Sequence, residues 1–566
     1  MKLKRVLAIV FALCLIAGLI SGCSSSTDSG KAGQDSSASS ADSGKTASDS
    51  SADSGKTASD SSASADASSD SGSSKTTLNV VSDMFSVPNV HDLNNSWGVM
   101  RLGLTECLVK FGDDSSYQPW LAESWELADD NVTWTFHIRQ GVKFSNGADM
   151  TPTKVKDSIE WLYSVQDPDN GGVGDIQGFM TYSSIEADDA AGTVTIVTTD
   201  PMPGLPGVMA YPLTAIIDTE ATAQRDMLLE GPIGTGPYVV ESYTDGHDYQ
   251  LVKNTYYWGG DVPFDKVSYV KVAEAGSRLN ALLDGSADVA THIQASDLPT
   301  LQSAGGSVSN VSGARDGYYH VNFEGPLGND TLRKAVFMAI DDETVCNITT
   351  GGSYTAGYTP LAPIYSQWGG GSIPDPAAYD PDAAMKLLDD AGIVDSDGDG
   401  WRELDGKNIE LTYVTVTSRQ MGDIAQAHAS LIQAIGVNCS VQVVDSQGDY
   451  MRNGTFDLVN SNEMIIPTGD PTNFLSHWYG KAGTGYNYSR YSNPEYDKLF
   501  EELKSEMDTD KRNEIITKLQ TILTEDCVIM LGGYYNFNIC STSAVTGAYN
   551  PPCDFYWITT DIKPAS

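Results

Sequence analysis

The chain has 566 residues, which is too long for one compact core, so we expect two or more domains. Its 75 acidic and 34 basic residues give a formal net charge of −41, which argues against nucleic-acid binding because that function needs a basic surface. The eight cysteines show no C-x-x-C spacing, which argues against a disulfide scaffold and a zinc cluster. Which of these thiols would pair in an oxidising compartment is left open.

The N-terminus predicts a lipoprotein signal. "MKLKR" is positively charged, and the apolar run from Val6 to Ile20 is short for a stable membrane span. "ISGC", which ends at Cys23, follows directly and resembles a bacterial lipobox, whose cysteine receives a diacylglycerol and becomes the new N-terminus. We therefore expect a signal peptide over residues 1–22 and acyl chains of the palmitate type on Cys23, with an ordinary secretory signal as the alternative.

A disordered linker is predicted over residues 23–76, which comprise the cysteine that would be lipidated and a stretch of Ser, Ala, Asp and Gly. "SSADSGKTASD" occurs twice, starting at Ser39 and at Ser50. Such a segment has too little apolar area to offset its chain entropy. A flexible chain of ~50 residues reaches roughly 40 Å, which would tether a folded body near a membrane.

From Thr77 the composition becomes globular, and predicted strands and helices alternate. "TTLNVVS" and residues 132–144 predict strands, the second because apolar and polar residues alternate. A helix is predicted to begin at Pro152 behind the cap Thr151, since proline fits the first helical position.

The later part of the chain continues this mixed pattern. "GSRLNALLDGSADVA" predicts a helix that is closed by Gly285 and followed by a short strand. "IELTYVTVT", "DIAQAHASLIQAIG" and "CSVQVVD" predict a β-α-β unit, and "NPEYDKLFEELKSEM" with "DKRNEIITKLQTILTED" predicts a late helix pair. Together these elements predict an α/β protein with more than one lobe.

The stretch "DSDGDGWRELDG", which begins at Asp395, resembles a calcium loop. Asp395, Asp397 and Asp399 stand at positions one, three and five of an EF-hand. However, the loop leads into a predicted strand, and Gly406 stands where an EF-hand needs a bidentate Glu, with Glu403 only a partial substitute. Aspartate and glycine also favour tight turns. We therefore expect a helix-to-strand connector with a weak structural calcium site at most, and no other cofactor.

Several segments follow the order of motifs in a known family. The longest is "PWLAESWELADDNVTWTFHIRQGVKFSNG", and "PIGTGPYVV", "RLNALLDGSADVA", "GDPTNFL" and "YNYSRYSNPEYDKLFEE" come after it. In this order they resemble family 5 of the bacterial extracellular solute-binding proteins, which serve ABC importers of oligopeptides, dipeptides and nickel complexes. The resemblance covers nearly all of the chain after Thr77.

The resemblance implies a fold. It is an α/β, two-lobed, hinged fold of the periplasmic-binding-protein type (class II), with an extra subdomain on the N-terminal lobe. Lobe 1 would comprise residues 77–105, 231–314 and 532–566, with an inserted subdomain over residues 106–230. Lobe 2 would comprise residues 315–531, with crossings near Ala314 and Leu531.

The resemblance also implies a function. A membrane-tethered monomer on the extracytoplasmic face of the cell would capture short peptides or similar small zwitterions between its lobes and deliver them to the permease of an ABC importer. It would bind its ligand without transforming it. The sequence contains no H-E-x-x-H and no G-x-S-x-G. A secreted hydrolase whose catalytic pair is assembled only in three dimensions is the alternative from another class.

Candidate ligand residues follow from the resemblance. Arg419 matches by position the arginine that meets the peptide carboxylate in dipeptide-binding relatives, and an Arg fork suits a carboxylate because it donates two parallel hydrogen bonds. Its alternative is a surface arginine. Peptide-binding relatives carry an Asp shortly before "GDP", and this chain does not. Either Glu463 or Asp470 takes that place, or the ligand lacks a free amine.

Arg101, Trp97, Trp478 and His477 complete the candidate set. Arg101 would hold a ligand carboxylate or form an interlobe salt bridge. The two tryptophans would stack on a ligand or belong to the core. His477 lies near, but displaced from, the histidine of nickel-binding relatives, so a nickel or other metal–chelate ligand is the alternative to a peptide.

Overall fold

The computed structural model describes residues 75–84, 96–165, 179–244, 248–482 and 486–566. The predicted signal peptide, Cys23 and nearly all of the linker lie outside the described residues, so lipidation stays a prediction. No helix in the described ranges is both long and apolar enough to cross a membrane.

Strands and helices alternate along the described chain as the sequence predicts. The strands, numbered in chain order, are β1 (Thr77–Ser82), β2 (Val109–Phe111), β3 (Tyr117–Pro119), β4 (Ala122–Leu127), β5 (Thr133–Ile138), β6 (Tyr182–Asp188), β7 (Thr193–Thr198), β8 (Tyr238–Thr244), β9 (Asp248–Lys253), β10 (Lys266–Lys271), β11 (Val289–Thr291), β12 (Ser307–Val321), β13 (Tyr354–Thr355), β14 (Glu403–Leu404), β15 (Lys407–Asn408), β16 (Glu410–Thr415), β17 (Asn438–Val443), β18 (Leu458–Met464), β19 (Ile529–Ser541), β20 (Val545–Thr546) and β21 (Lys563–Pro564). The α-helices are Ser96–Arg101, Pro152–Val165, Leu205–Val208, Thr219–Thr222, Met227–Glu230, Ala275–Asp284, Leu298–Ser303, Asp330–Met338, Asp342–Thr344, Pro381–Asp390, Met421–Ala434, Gly448–Asn453, Thr472–Leu475, Pro494–Ser505 and Thr509–Glu525.

One eleven-stranded sheet runs through the molecule in the order β17-β16-β18-β12-β19-β11-β1-β10-β9-β8, with β13 beside β19. We call the half that contains β1 lobe 1 and the half that contains β16 lobe 2. The long strands β12 and β19 belong to both halves, because β12 pairs with β18 in lobe 2 and β19 pairs with β11 in lobe 1. These two neighbouring strands therefore join the lobes.

The pairing of β12 with β19 is interrupted where the strands pass from one lobe to the other. The register shifts between Ser312 and Asp316, opposite Asn536 and Tyr534. Extra residues at such a point leave the hydrogen-bond ladder locally broken and let the strands bend. The crossing that was expected near Ala314 falls inside this interruption. On β19, the interruption lies a few residues after Leu531, where the second crossing was expected. The exact lobe bounds stay a prediction.

Two local predictions are confirmed in the lobes. The helix that was expected to begin at Pro152 does so, and the amide of Lys154 donates to Thr151 Oγ1 at 3.3 Å. In lobe 2, β16 and β17 pair in parallel and flank the helix Met421–Ala434, which is the predicted β-α-β unit. Such a parallel pair needs a crossover of this length.

The segment between the two parts of lobe 1 forms a separate sheet in the order β4-β5-β7-β6, which we call the inserted sheet. All of its pairs are antiparallel. Along β5, Trp134, Phe136 and Ile138 are buried and their neighbours are half-buried, because successive side chains point to opposite faces. The sheet therefore has one covered face, as the alternation predicts.

The six cysteines that the structure describes are all free thiols, and all except the half-buried Cys553 are buried. Burial raises the pKa of the Cys527 thiol to about 11 and that of Cys540 to about 12. These thiols therefore stay protonated near neutral pH and react slowly, because the thiolate is the nucleophile.

Glu106 is a buried carboxylate at the junction between lobe 1 and the inserted sheet, and it has only neutral partners. It accepts hydrogen bonds from Thr235 Oγ1 at 2.8 Å, Trp258 Nε1 at 2.6 Å and Tyr257 Oη at 3.3 Å. Burial outweighs these hydrogen bonds and raises the pKa of Glu106 to about 7. The folded state thus prefers the protonated acid.

The stability of the protein is therefore expected to depend on pH through Glu106. A raised pKa in the folded state makes folding most favourable below the ordinary value of 4.5, and that stability is lost as the pH rises to about 7. Because each pKa unit corresponds to about 1.4 kcal/mol, the loss is about 3 kcal/mol. Glu106→Gln should gain stability relative to the wild type across this pH range in urea unfolding. The exposed Glu502→Gln is the control, and parallel pH profiles for Glu106→Gln and wild type would refute the assignment.

Candidate functional site

A small cavity lies beside the interruption in β12 and β19, where the two lobes meet. It is lined by Met84, His292, Ala314, Arg315, Arg419, Tyr535, Phe537, Asn550 and Asp554. Its volume is about 10 Å³, which is room for one water molecule at most. A cavity of this size cannot hold a peptide, so the residues around it must move apart to admit one.

Arg419 reaches this cavity from lobe 2. It sits in the 3-10 turn Ser418–Gln420 after β16, with φ at 50°, a left-handed conformation that is costly for a residue other than glycine. Its carbonyl oxygen accepts a hydrogen bond from Tyr354 Oη at 2.7 Å, which holds the turn. The expected location of Arg419 at the interlobe cleft agrees with this geometry, and its contact with a ligand stays a prediction.

Arg315 is a cleft residue that the sequence reasoning missed. It lies on β12, is 8% exposed, and donates from Nη1 to the carbonyl oxygen of Asn462 at 2.9 Å. Its Nη2 is buried without a hydrogen-bond partner among the described residues. Burial and the neighbouring Arg419 guanidinium lower the pKa of Arg315 to about 9, so it is still charged at pH 7. The sequence does contain a signal for Arg315: it is a charged residue next to Ala314, where the chain was expected to cross between the lobes.

Arg101 is held inside lobe 1. Its Nη2 lies 2.6 Å from Asp554 Oδ2 and its Nε donates to the Asp554 carbonyl oxygen at 3.1 Å. Its Cζ lies 4.2 Å from the ring of Trp557 and 5.1 Å from that of Trp97. Arg101 thus forms a buried ion pair within one lobe, and not the interlobe salt bridge that was its alternative role.

Trp97 has two arginine side chains close to its ring. Its ring centroid is 5.1 Å from the Cζ atoms of both Arg101 and Arg315, and its Nε1 donates to Tyr211 Oη at 3.0 Å. Cations over an indole face are attracted by the ring quadrupole. Trp97 therefore helps to position Arg315 at the cleft.

Glu463 and His477 face the other side of the lobe 2 sheet. Glu463 on β18 is opposite Asp316 on β12 and accepts a hydrogen bond from Tyr318 Oη. His477 Nδ1 lies 3.5 Å from Glu463 Oε1. Neither residue lines the cavity that contains Arg419, so the structure does not bring them together with it.

Trp478 and Asp470 have structural partners. Trp478 is fully buried in the core of lobe 2, where its ring packs against Phe474 at 4.9 Å and leaves no face for a ligand. Asp470 is 2.6 Å from Arg512 Nη2 and also accepts from the Thr472 amide. The geometry thus favours the core role for Trp478 and an ion-pair role for Asp470.

A second, larger cavity of about 370 Å³ lies between the region next to the inserted sheet and lobe 2. Phe179 and Val208 line one side, and Asp470 and Arg512 line the other. At its edge the helix Leu205–Val208 touches the backbone of lobe 2 directly. A Cβ added at Gly207 would stand 1.8 Å from the carbonyl oxygen of Thr468.

The calcium-like loop lies apart from the cavities that we describe. Carboxylate oxygens of Asp395, Asp397 and Glu403 lie within 4.8 Å of one another, so Glu403 joins this group in place of Asp399. Asp399 instead accepts from the side chain of Asn408 at 2.6 Å. The loop leads to the two-residue strands β14 and β15, as a connector should, and calcium binding stays a prediction.

Adding calcium is expected to stabilise the protein modestly. At ten times the dissociation constant the gain is about 1.4 kcal/mol, which a thermal melt of a chain this long would register as a shift of about one to two degrees. The double variant Asp395→Asn, Asp397→Asn should lose this shift, and the order of ligand affinities should not change in either protein. An unchanged melting temperature in millimolar calcium would refute the site.

Comparison with known proteins decides the family. Residues 116–486, more than half of the chain, match the profile of bacterial extracellular solute-binding proteins, family 5 Middle. The chain belongs to this family. It is a solute-binding protein of the ABC-transporter type and not an enzyme, which confirms the expected function class and sets the hydrolase aside.

Individual relatives of this family 5 protein are distant. It is 27% identical over 451 residues to heme-binding protein A of Haemophilus influenzae, covering 74% of this chain and 79% of that protein. It is 26% identical over 478 residues to the probable D,D-dipeptide-binding periplasmic protein DdpA of Escherichia coli, covering 81% and 88%. The crystal structure of NikA from Staphylococcus aureus in complex with Ni(L-His)2 is 21% identical, with a TM-score of 0.70, covering 86% of this chain and 100% of that one. The structural likeness confirms the two-lobed fold.

Proposed function

We propose that this family 5 protein is the membrane-tethered component of an ABC importer that captures short peptides or similar small zwitterions between its lobes and delivers them to the permease. The relative DdpA, named as a probable D,D-dipeptide-binding protein, supports a peptide ligand. The protein would act as a monomer, since one chain contributes both lobes of the cleft.

The observation that carries this proposal is the pair of unpaired arginines at the cleft. Arg315 and Arg419 both line the interlobe cavity, and neither forms an ion pair with any residue that the structure describes. Guanidinium groups donate paired hydrogen bonds to carboxylates, and every peptide has one at its C-terminus. A carboxylate in this cavity would satisfy groups that otherwise lack a partner.

Capture would work by differential binding to two arrangements of the lobes. A ligand held by Arg419 of lobe 2 and by Asn550 of lobe 1 makes both sets of contacts only when the lobes are together. It therefore shifts the population toward the closed state. The interruption in β12 and β19 supplies the bending point for such a hinge motion. The closed shape would be the form that the permease recognises.

A metal chelate is the second candidate ligand. The relative NikA was crystallised with Ni(L-His)2, and the carboxylates of a chelator would meet the same arginines. His477 is the residue that was expected to contact such a complex, but it faces Glu463 on the other side of the sheet. A chelate would thus depend on the arginines and not on this histidine.

A thermal-shift screen separates the two ligands. A panel of dipeptides and tripeptides is compared with nickel alone and with nickel plus chelators. A ligand at a hundred times its dissociation constant adds about 2.7 kcal/mol of stability, so a true ligand should stand out clearly. A response to chelated metal alone would exclude the peptide ligand, and a response to peptides alone would exclude the chelate.

The lipid anchor is tested separately from the ligand. In living cells, Cys23→Ala should move the protein from the membrane fraction to the medium or periplasm, because acyl chains supply the membrane affinity. A Cys14→Ala variant in the leader is the matched control and should stay anchored. Membrane retention of Cys23→Ala would refute the anchor.

A further inference from the structure

We infer that the ligand carries two acidic groups, and that Arg315 receives the second of them beside Arg419. This inference rests on the proposed function and narrows it to one ligand class, such as peptides with an acidic side chain. It concerns the pair of arginines and the residues that surround them in the interlobe cavity.

The two arginines that line the cavity have no carboxylate of their own beside them. Among the residues that line it, Asp554 is the one carboxylate, and it is committed to Arg101 at 2.6 Å. His292 is buried, and burial lowers its pKa below the ordinary 6.5, so it is neutral at pH 7. Arg315 and Arg419 therefore have no ion-pair partner among the described residues, in a chain whose formal net charge is −41.

Two acids of lobe 2, Asp316 and Glu463, lie near Arg315, but neither forms an ion pair with it. Asp316 follows it on β12, so its side chain points to the opposite face, next to Glu463 on the paired strand. Both oxygens of Asp316 are buried without a partner in the described part of the chain, and burial raises the pKa of Asp316 well above its usual range. Glu463 is held by Tyr318 Oη.

Arg315 itself is built to receive an acceptor. Its Nη1 is fixed on the Asn462 carbonyl oxygen and its Cζ stacks on Trp97, so the guanidinium has one orientation. The remaining Nη2 is buried without a partner among the described residues. A buried charged donor without an acceptor is costly, and a ligand oxygen would remove that cost. This is a fixed, desolvated anion receptor and not a mobile surface arginine.

Asn550, which belongs to lobe 1, adds a third requirement that the ligand must meet. It is 1% exposed and its Nδ2 donates to the carbonyl oxygen of Phe537 at 2.9 Å, which orients the amide. Its Oδ1 is left buried without a partner in the described ranges. Asn550 thus offers an acceptor to an N–H or O–H of the ligand. Two acidic groups and one donor describe an acidic dipeptide well.

Calorimetry with a matched pair of peptides tests the inference. Ala-Glu and Ala-Gln have nearly the same shape and differ in one negative charge. We expect Ala-Glu to bind at least tenfold more tightly than Ala-Gln to the full-length protein. Arg315→Gln should abolish this preference while still binding both peptides, and Arg419→Gln should weaken both. Arg315→Lys keeps the charge and should retain part of the preference. The exposed Arg452→Gln is the control and should leave both affinities unchanged.

The outcomes separate this inference from the proposed function. Equal binding of Ala-Glu and Ala-Gln would overturn the inference and leave a peptide importer standing. A preference that survives in Arg315→Gln would also overturn it. If neither peptide binds, peptide capture fails, and the charge requirement is tested with the anionic nickel–EDTA complex against the neutral nickel–bis-histidine complex. Tighter, Arg315-dependent binding of the anionic complex would then support the inference, and equal or absent binding would overturn it.

Discussion

Arg419→Ala is expected to weaken the binding of a carboxylate-bearing ligand by at least a hundredfold, or about 2.7 kcal/mol. A buried, hydrogen-bonded charge pair loses this much or more when one partner is truncated, because the other charge is left unpaired. Arg419 lines the interlobe cavity from a turn whose backbone Tyr354 holds, so the base of its side chain is positioned for such a pair.

Isothermal titration calorimetry with whichever ligand emerges from the thermal-shift screen measures this loss. Arg419→Lys should fall between the wild type and the alanine variant, because lysine keeps the charge but not the two-pronged donor. Arg452→Ala, at an exposed arginine that pairs with Asp449, should bind as the wild type does. Unchanged affinity in Arg419→Ala would remove this residue from the site.

Gly207→Ala is expected to prevent the lobes from reaching the arrangement described above. The added Cβ would stand 1.8 Å from the Thr468 carbonyl oxygen and 2.8 Å from Tyr117 Oη. The first of these atoms belongs to the backbone and cannot turn aside, so the clash is relieved only if lobe 2 moves away from the helix Leu205–Val208. We expect the ligand-bound closed state to keep the contact between Gly207 and Thr468, so ligand affinity should fall by about a hundredfold or more, because the ligand must bind without its second set of contacts.

Gly204→Ala is the matched control for this variant. It lies one turn earlier, and a Cβ there meets no atom within 4 Å, so this variant should bind and close normally. Small-angle scattering with saturating ligand should show compaction for the wild type and for Gly204→Ala, but not for Gly207→Ala. The melting temperature without ligand should be similar for all three proteins. Normal compaction and affinity of Gly207→Ala would refute the idea that this contact limits closure.

Periodicity predicted the local elements well, because it depends on neighbours in the chain. The helix at Pro152, the β-α-β unit around the helix Met421–Ala434 and the helix pair Pro494–Ser505 and Thr509–Glu525 all occur as expected. Family resemblance predicted the two-lobed fold, and it led to Arg419, which the structure puts at the cleft.

The remaining site residues depend on which face of a strand meets the other lobe, and the sequence alone does not determine that. Arg315 and Asp316 are neighbours in the chain, yet one faces the cavity and the other faces the lobe 2 interior. Glu463 was a candidate because it lies shortly before the Gly-Asp-Pro motif, and Trp478 because a tryptophan can stack on a ligand, but Glu463 faces away from the cavity and Trp478 lies in the core. Tertiary contacts decide such assignments, because alternation along a strand divides its residues between two faces but does not show which face meets the other lobe.

The free, buried cysteines make the hinge motion open to direct observation by fluorescence. Five of the six described thiols are buried, and burial raises the pKa of the half-buried Cys553 to about 12, so a maleimide dye would react mainly with cysteines that are introduced on the surface. One exposed position on the inserted sheet and one on the helix Pro494–Ser505 would report the separation of the lobes through energy transfer. The six described thiols need not be removed, so the distance distribution with and without ligand would be measured on a protein whose folded part is otherwise unaltered.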